Sequence, residues 1–251
     1  MSTQDVMTAR EVVLEDPDAV AQWTADFLLE KALSARGVFR IALSGGSTPR
    51  KLYALMAEAG YADRFPWSRT EFFYGDDRFV PAESADSNRG MVQSILFDHV
   101  PVPTKNIHPM PDRGEPDQAA RSYEADLQQA YGGNTLIANK PLFDVVLLGL
   151  GENGHTASLF PRQPVLEEKI RWVASCVPDD APHTRLTLTY PAIASSRHVL
   201  FLVTGTSKAG VLGRVRAGDA AEPASHICSD GEVVWIIDRG AAGQAEGKTE
   251  R

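Results

Sequence analysis

The run Phe143–Leu148, FDVVLL, is apolar at five of six positions, a pattern that suits a strand covered on both faces in a parallel sheet. Similar short runs recur at 38–43, 70–74, 171–176, 185–188, 199–203 and 233–237. Between them the apolar spacing becomes helical. Residues 16–37 open on acidic side chains, place Val20, Trp23 and Phe27 on one face, and predict a helix closing at Gly37. Further helices are predicted at 49–59, 87–97, 117–131, 207–216 and 224–228, with a polar stretch at 101–116. Alternation at this density predicts an α/β fold: a doubly wound, mostly parallel, Rossmann-like sheet with helices on both faces.

In such sheets ligands bind beyond the carboxyl ends of the strands, so the residues after each apolar run carry the candidate chemistry. FDVVLL is followed by GLGENGHTASLFP at 149–161, where glycines permit close backbone approach and His155 stands directly after them. The same residues spell GxGxxG. A dinucleotide unit also needs a long helix after the third glycine and an acid at the end of the next strand. Pro161 and Pro164 leave room for only a short helix, and the strand at 171–176 ends without an acid, which sets that reading aside. An imidazole, with an ordinary pKa of about 6.5, can take a proton from water near neutrality, and Glu152 is a candidate to orient it. The other five histidines lie in no local motif and read as structural.

SGGSTP at 44–49 joins a strand to a helix start, where free N–H groups and the helix dipole favour an anion. Gly45, Gly46, Ser47 and Thr48 therefore form a candidate phosphate cradle, although the same residue types also serve simply to turn the chain and cap the helix. The GK[ST] ending of a Walker A loop is absent. Lys208 and Arg185 lie near other strand ends and either add cations to that cradle or sit as surface charges. Asp76, Asp77 and Arg78 in GDDRFVP form either a solvated loop or an oriented acid beside a cation for a developing oxyanion.

The 251 residues predict one catalytic domain over 1–240 and a disordered polar tail over 241–251. A net charge of -8 argues against a nucleic-acid partner and requires an anionic substrate to be met by local cations. The two cysteines show no CxxC and no ligand spacing to a histidine, so no disulfide and no metal site are expected. Nothing approaches a membrane-spanning apolar stretch, and the expected location is cytoplasmic. With no GxSxG elbow and no cysteine beside a base, activated water is the simpler mechanism, with no cofactor.

Taken together, SGGSTP, GDDRFVP with DSN at 86–88, GLGENGHTASLFP, RLTLTYP at 185–191 and GTSKAGVL at 205–212 resemble the 6-phosphogluconolactonase family. That family shares its sugar-phosphate isomerase/deaminase-like fold with glucosamine-6-phosphate deaminase. The resemblance runs from about residue 10 to residue 240. It implies hydrolysis of 6-phospho-D-glucono-1,5-lactone, a phosphorylated sugar lactone, to 6-phospho-D-gluconate in the oxidative pentose phosphate pathway; the sequence leaves monomer and homodimer both open. His155 would activate water, Arg78 would stabilise the oxyanion and Asp76 would orient it or the water. Gly45, Gly46, Ser47, Thr48, Arg185 and Lys208 would hold the phosphate. Arg78 and SLFP at 158–161 are lactonase-like choices, whereas deaminases carry a DEY-type acid motif and an AFNEP-like ending. The other readings are an amino-sugar-phosphate deaminase or isomerase and a sugar-phosphate sensor without turnover. Two positions depart from the family pattern: Asp77 stands where glutamate is usual, and Asn153 replaces the usual acid before Gly154 and His155. Asn153 can hydrogen-bond the imidazole but cannot stabilise an imidazolium by charge.

Overall fold

The computed structural model describes residues 9–179 and 181–244. Its strands are β1 (Arg10–Leu14), β2 (Phe39–Leu43), β3 (Thr70–Tyr74), β4 (Asp76–Arg78), β5 (Phe143–Leu148), β6 (Val173–Cys176), β7 (Arg185–Leu188), β8 (Ser196–Val203) and β9 (Glu232–Asp238). The α-helices are α1 (Pro17–Ser34), α2 (Ser47–Met56), α3 (Ala59–Ala62), α4 (Asn88–Ile95), α5 (Pro116–Tyr131), α6 (Tyr190–Ala194) and α7 (Ala209–Arg216). Six strands form one sheet in the order β1-β9-β8-β5-β2-β3, every pairing parallel. Helices flank it, and Ile41, Phe72, Val146, Leu200 and Ile236 in its strands are fully buried. Burial on both faces is why these segments read as unbroken apolar runs.

The strand order locates the site. From β2 the chain winds outward to β3, then returns to β5 on the other side of β2 and continues to β8 and β9. The order therefore reverses between β2 and β5, and the carboxyl ends of those two strands open the crevice in which such sheets bind ligands. SGGSTP leaves β2 and GLGENGH leaves β5. Two tyrosines pin the strand ends nearby: the Tyr53 hydroxyl accepts from Ser44 N at 3.0 Å and donates to Ser44 O at 2.8 Å, and Tyr123 does the same at Tyr74.

Several expectations need correction. β6 and β7 do not join the parallel sheet; with β4 they form a separate antiparallel sheet, β4-β7-β6. The Asp-Asp-Arg run is thus a strand rather than a loop. Helix α1 ends at Ser34 with Ala35, in extended conformation, as its cap, so Gly37 is not the terminator. No helix follows His155; turns and a bridge between Thr156 and Leu159 occupy the segment. The helix expected at 224–228 is a short 3-10 turn, Pro223–His226. The apolar pattern predicts neither strand β1 nor helix α6. Of the tail expected from 241, Ala241 is buried and donates its N–H to Asp238 Oδ1 at 2.7 Å, while 245–251 fall outside the described residues.

Candidate active site

A cleft of about 590 Å³ opens at the switch point, and every expected site residue except Asp77 lines it. Its first wall is the start of α2. Gly46 is the N-cap, at φ 107°, a backbone conformation that excludes most side chains. Among the described residues no side chain caps this helix. Thr48 Oγ1 instead meets Thr204 Oγ1 at 2.7 Å, tying the loop to the end of β8. The capping alternative therefore gives way to a helix start that lines the cleft and has no side-chain cap, an arrangement that suits phosphate. Lys208, immediately before α7, faces the same cleft. Gly45 is required by packing: a Cβ there would fall 1.9 Å from Asn88 Oδ1.

The second wall is the small antiparallel sheet. Alternation along β4 sends Asp76 and Arg78 to the cleft and Asp77 the other way. Asp77 caps α4 from outside: its Oδ1 accepts from Arg78 N at 2.8 Å and Asn88 N at 2.7 Å, and its Oδ2 from Arg89 N at 2.9 Å. Asp77, expected as a candidate orienting acid beside Asp76, thus turns away from the cleft and holds the start of α4 instead. Asp76 is buried, and Ser158 Oγ donates to its Oδ2 at 2.6 Å. Burial pushes the Asp76 carboxyl above its ordinary value, opposed by Ser158, Arg78 and Arg185.

Arg78 and Arg185 are direct cross-strand partners. Like charges in that register repel. Arg185 is 5% exposed, its Nε has no hydrogen-bond partner among the described residues, and burial, then Arg78, pulls its pKa down from the ordinary arginine value. Arg78 Nη1 donates to Asp86 O at 2.6 Å. Two guanidinium groups against one buried acid leave positive charge for an anionic or developing oxyanion group.

The third wall is the turn after β5. His155 Nδ1 lies 2.5 Å from Asn153 Oδ1, and its ring stacks on Phe160 with centroids 4.3 Å apart. Gly151 accommodates that ring, since a Cβ there would fall 2.1 Å from it. Glu152 is exposed and its carbonyl accepts from Arg214 Nη2 at 3.4 Å. Asn153 therefore supplies the orienting contact for which Glu152 was the first candidate.

Asn88 and Ser158 lie in recognised motifs but received no role from sequence. Asn88 Nδ2 donates to Asp76 O at 3.0 Å, so one side chain spans the phosphate loop and the acid strand. The available signal was chemical: a buried carboxylate needs donors, and both motifs supply uncharged polar residues. Among the described residues no group of three or more His, Cys, Asp or Glu side chains could hold a metal ion, and no helix is long and apolar enough to cross a membrane.

Residues 15–235 match the family described as glucosamine-6-phosphate isomerases/6-phosphogluconolactonase. A 6-phosphogluconolactonase of Synechocystis is 41% identical over 217 residues, covering 85% of this chain and 87% of that protein. One from Haemophilus influenzae is 36% identical over 205 residues, 80% of this chain and 85% of the relative. The 6-phosphogluconolactonase structure from Trypanosoma cruzi superposes with a TM-score of 0.83 at 28% identity, covering 97% of this chain and 98% of that one. A monomeric glucosamine-6-phosphate deaminase shares the fold, with a TM-score of 0.77 at 20% identity over 93% of this chain and 99% of its own.

Proposed function

The chain belongs to the glucosamine-6-phosphate isomerase/6-phosphogluconolactonase family, and within it we propose that the protein is a 6-phosphogluconolactonase. It hydrolyses 6-phospho-D-glucono-1,5-lactone to 6-phospho-D-gluconate, the lactonase step of the oxidative pentose phosphate pathway. The observation that carries this reading is the pairing of His155 Nδ1 with Asn153 Oδ1 in a cleft that also presents the uncapped start of α2.

The amide oxygen accepts from Nδ1–H, so Nε2 holds the ring's lone pair and acts as the base. The substrate phosphate rests on the N–H groups at 45–48 with Lys208. A water oxygen bonds to the lactone carbonyl carbon while its proton passes to His155 Nε2. The carbonyl oxygen becomes an oxyanion, stabilised by Arg78. Arg185, first grouped with the phosphate, stands in register with Arg78 and adds charge to the carbonyl side. Collapse of the intermediate re-forms the carbonyl and breaks the bond to the ring oxygen, which takes the proton back from His155. Asp76, held by Ser158 and Asn88, lies within electrostatic reach of both arginines. Cys176 and Cys228 are unpaired, which suits a reducing compartment and supports a cytoplasmic place of work.

The test is an assay on freshly made lactone, coupled to phosphogluconate oxidation and run against the uncatalysed decay of the same lactone. Consumption well above that blank, with no ammonia released from glucosamine 6-phosphate, is the expected result; decay at the blank rate contradicts the reading.

A further inference from the structure

The turn that carries Asn153 and His155 is gripped from behind by residues outside all the recognised motifs. Gly154 lies at φ +76°, and a Cβ on it would fall 1.5 Å from Glu222 Oε2. Glu222 is 6% exposed, and its Oε2 has no hydrogen-bond partner among the described residues. A buried carboxylate oxygen without a donor is costly and needs a reason to be there. Its other oxygen, Oε1, is held by Arg214 Nε in a short ion pair. Arg214 Nη2 reaches on to Glu152 O at 3.4 Å, and Ala224 N–H donates to Gly154 O at 3.0 Å.

Resting on the functional reading above, we infer that Glu222, anchored by Arg214, is a positioning residue for His155. The contacts fall on Glu152 and Gly154, the residues either side of Asn153. They hold the backbone that aims Asn153 Oδ1 at His155 Nδ1, and so hold the imidazole in the tautomer with its base at Nε2. The glycine at 154 serves the clamp: it supplies the positive φ and the space that the carboxylate fills. Arg214 lies in the last turn of α7, the helix that Lys208 precedes, so one short helix links the phosphate ligand to the base-bearing turn.

The test combines kinetics with the ring nitrogen signals of His155 in long-range proton–nitrogen correlation spectra, assigned by their loss in His155→Gln. In the neutral ring of the wild type, Nδ1 carries the proton and Nε2 does not. Glu222→Ala removes the packing on Gly154; the two nitrogen signals move toward an average of tautomers, and kcat falls about 10- to 100-fold with KM for the lactone unchanged. Glu222→Gln keeps that packing and restores the wild-type tautomer. Where Glu222→Ala does not give folded protein by melting and near-ultraviolet dichroism, the double variant Arg214→Leu with Glu222→Gln unhooks the clamp without stranding a buried charge and gives the same signal change. A folded clamp variant that keeps the wild-type tautomer and kcat, with only its melting temperature lowered, overturns the inference. The nitrogen signals test the clamp even if the wild type hydrolyses no lactone, an outcome that would instead refute the functional reading.

Discussion

His155 Nδ1 and Asn153 Oδ1 lie 2.5 Å apart, and the same Oδ1 accepts the backbone N–H of His155 at 3.3 Å. The backbone N–H is a fixed donor, so the amide turns its oxygen to the ring, and an Nδ1 that carries the ring proton completes the pair. The contact orients the ring without adding a charge.

Asn153→Asp therefore separates orientation from charge. A carboxylate at that distance favours the protonated imidazole, so the base stays blocked to higher pH. The acid limb of the pH profile of kcat/KM is expected to move up by about one to two pH units, with the alkaline plateau retained. Steady-state kinetics across pH on both proteins measures it; an unmoved limb would show that Asn153 does not govern the base.

On the proposed function, Lys208→Ala removes a charge-assisted contact to the phosphate, far from the reacting carbonyl. Binding lost equally from substrate and transition state raises KM and spares kcat. A contact of about 1.5–3 kcal/mol corresponds to roughly a ten- to hundredfold rise in KM. Saturation curves on fresh lactone decide it, and an unchanged KM would remove Lys208 from the site.

Asp77 offers a stability test. Burial pushes its carboxyl from 3.8 up to about 6, against the opposing backbone donors of Arg89, Asn88 and Arg78. Between those two values the folded protein holds a proton that the unfolded chain has released, so this group's stabilisation is present below the window and is lost as pH rises through it. The loss is about 2–3 kcal/mol across the window, taking each pH unit as about 1.4 kcal/mol. Asp77→Asn should flatten that part of the stability curve in denaturant titrations at several pH values. An equal slope in both proteins would contradict the assignment.

What sequence revealed and what it concealed divide along physical lines. The apolar runs that became β2, β3, β5, β8 and β9 were legible because burial on both faces leaves no polar alternation. The glycine turns were legible because Gly45 and Gly151 face neighbours that exclude a side chain. Strand β1 was not, because its burial is only partial. The Asp-Asp-Arg strand was hidden because its extended form depends on pairing with β7, over a hundred residues away. The hydrogen bond from Ser158 to Asp76 joins positions 82 residues apart, and Glu222 meets Gly154 across a comparable distance; no local pattern encodes such contacts. The site's contributors could be proposed from local motifs, but the division of labour between Asp76 and Asp77 required the alternation of β4.

On the proposed function, His155 activates water on a sugar-phosphate lactone. The direct measurement is the initial rate of lactone loss for wild type and His155→Ala, both shown to be folded, each corrected for spontaneous decay. The expected result is a wild-type rate far above the blank and a kcat about 10²- to 10⁴-fold lower in the variant, with KM little changed. A folded His155→Ala protein that turns the lactone over as fast as the wild type would contradict it.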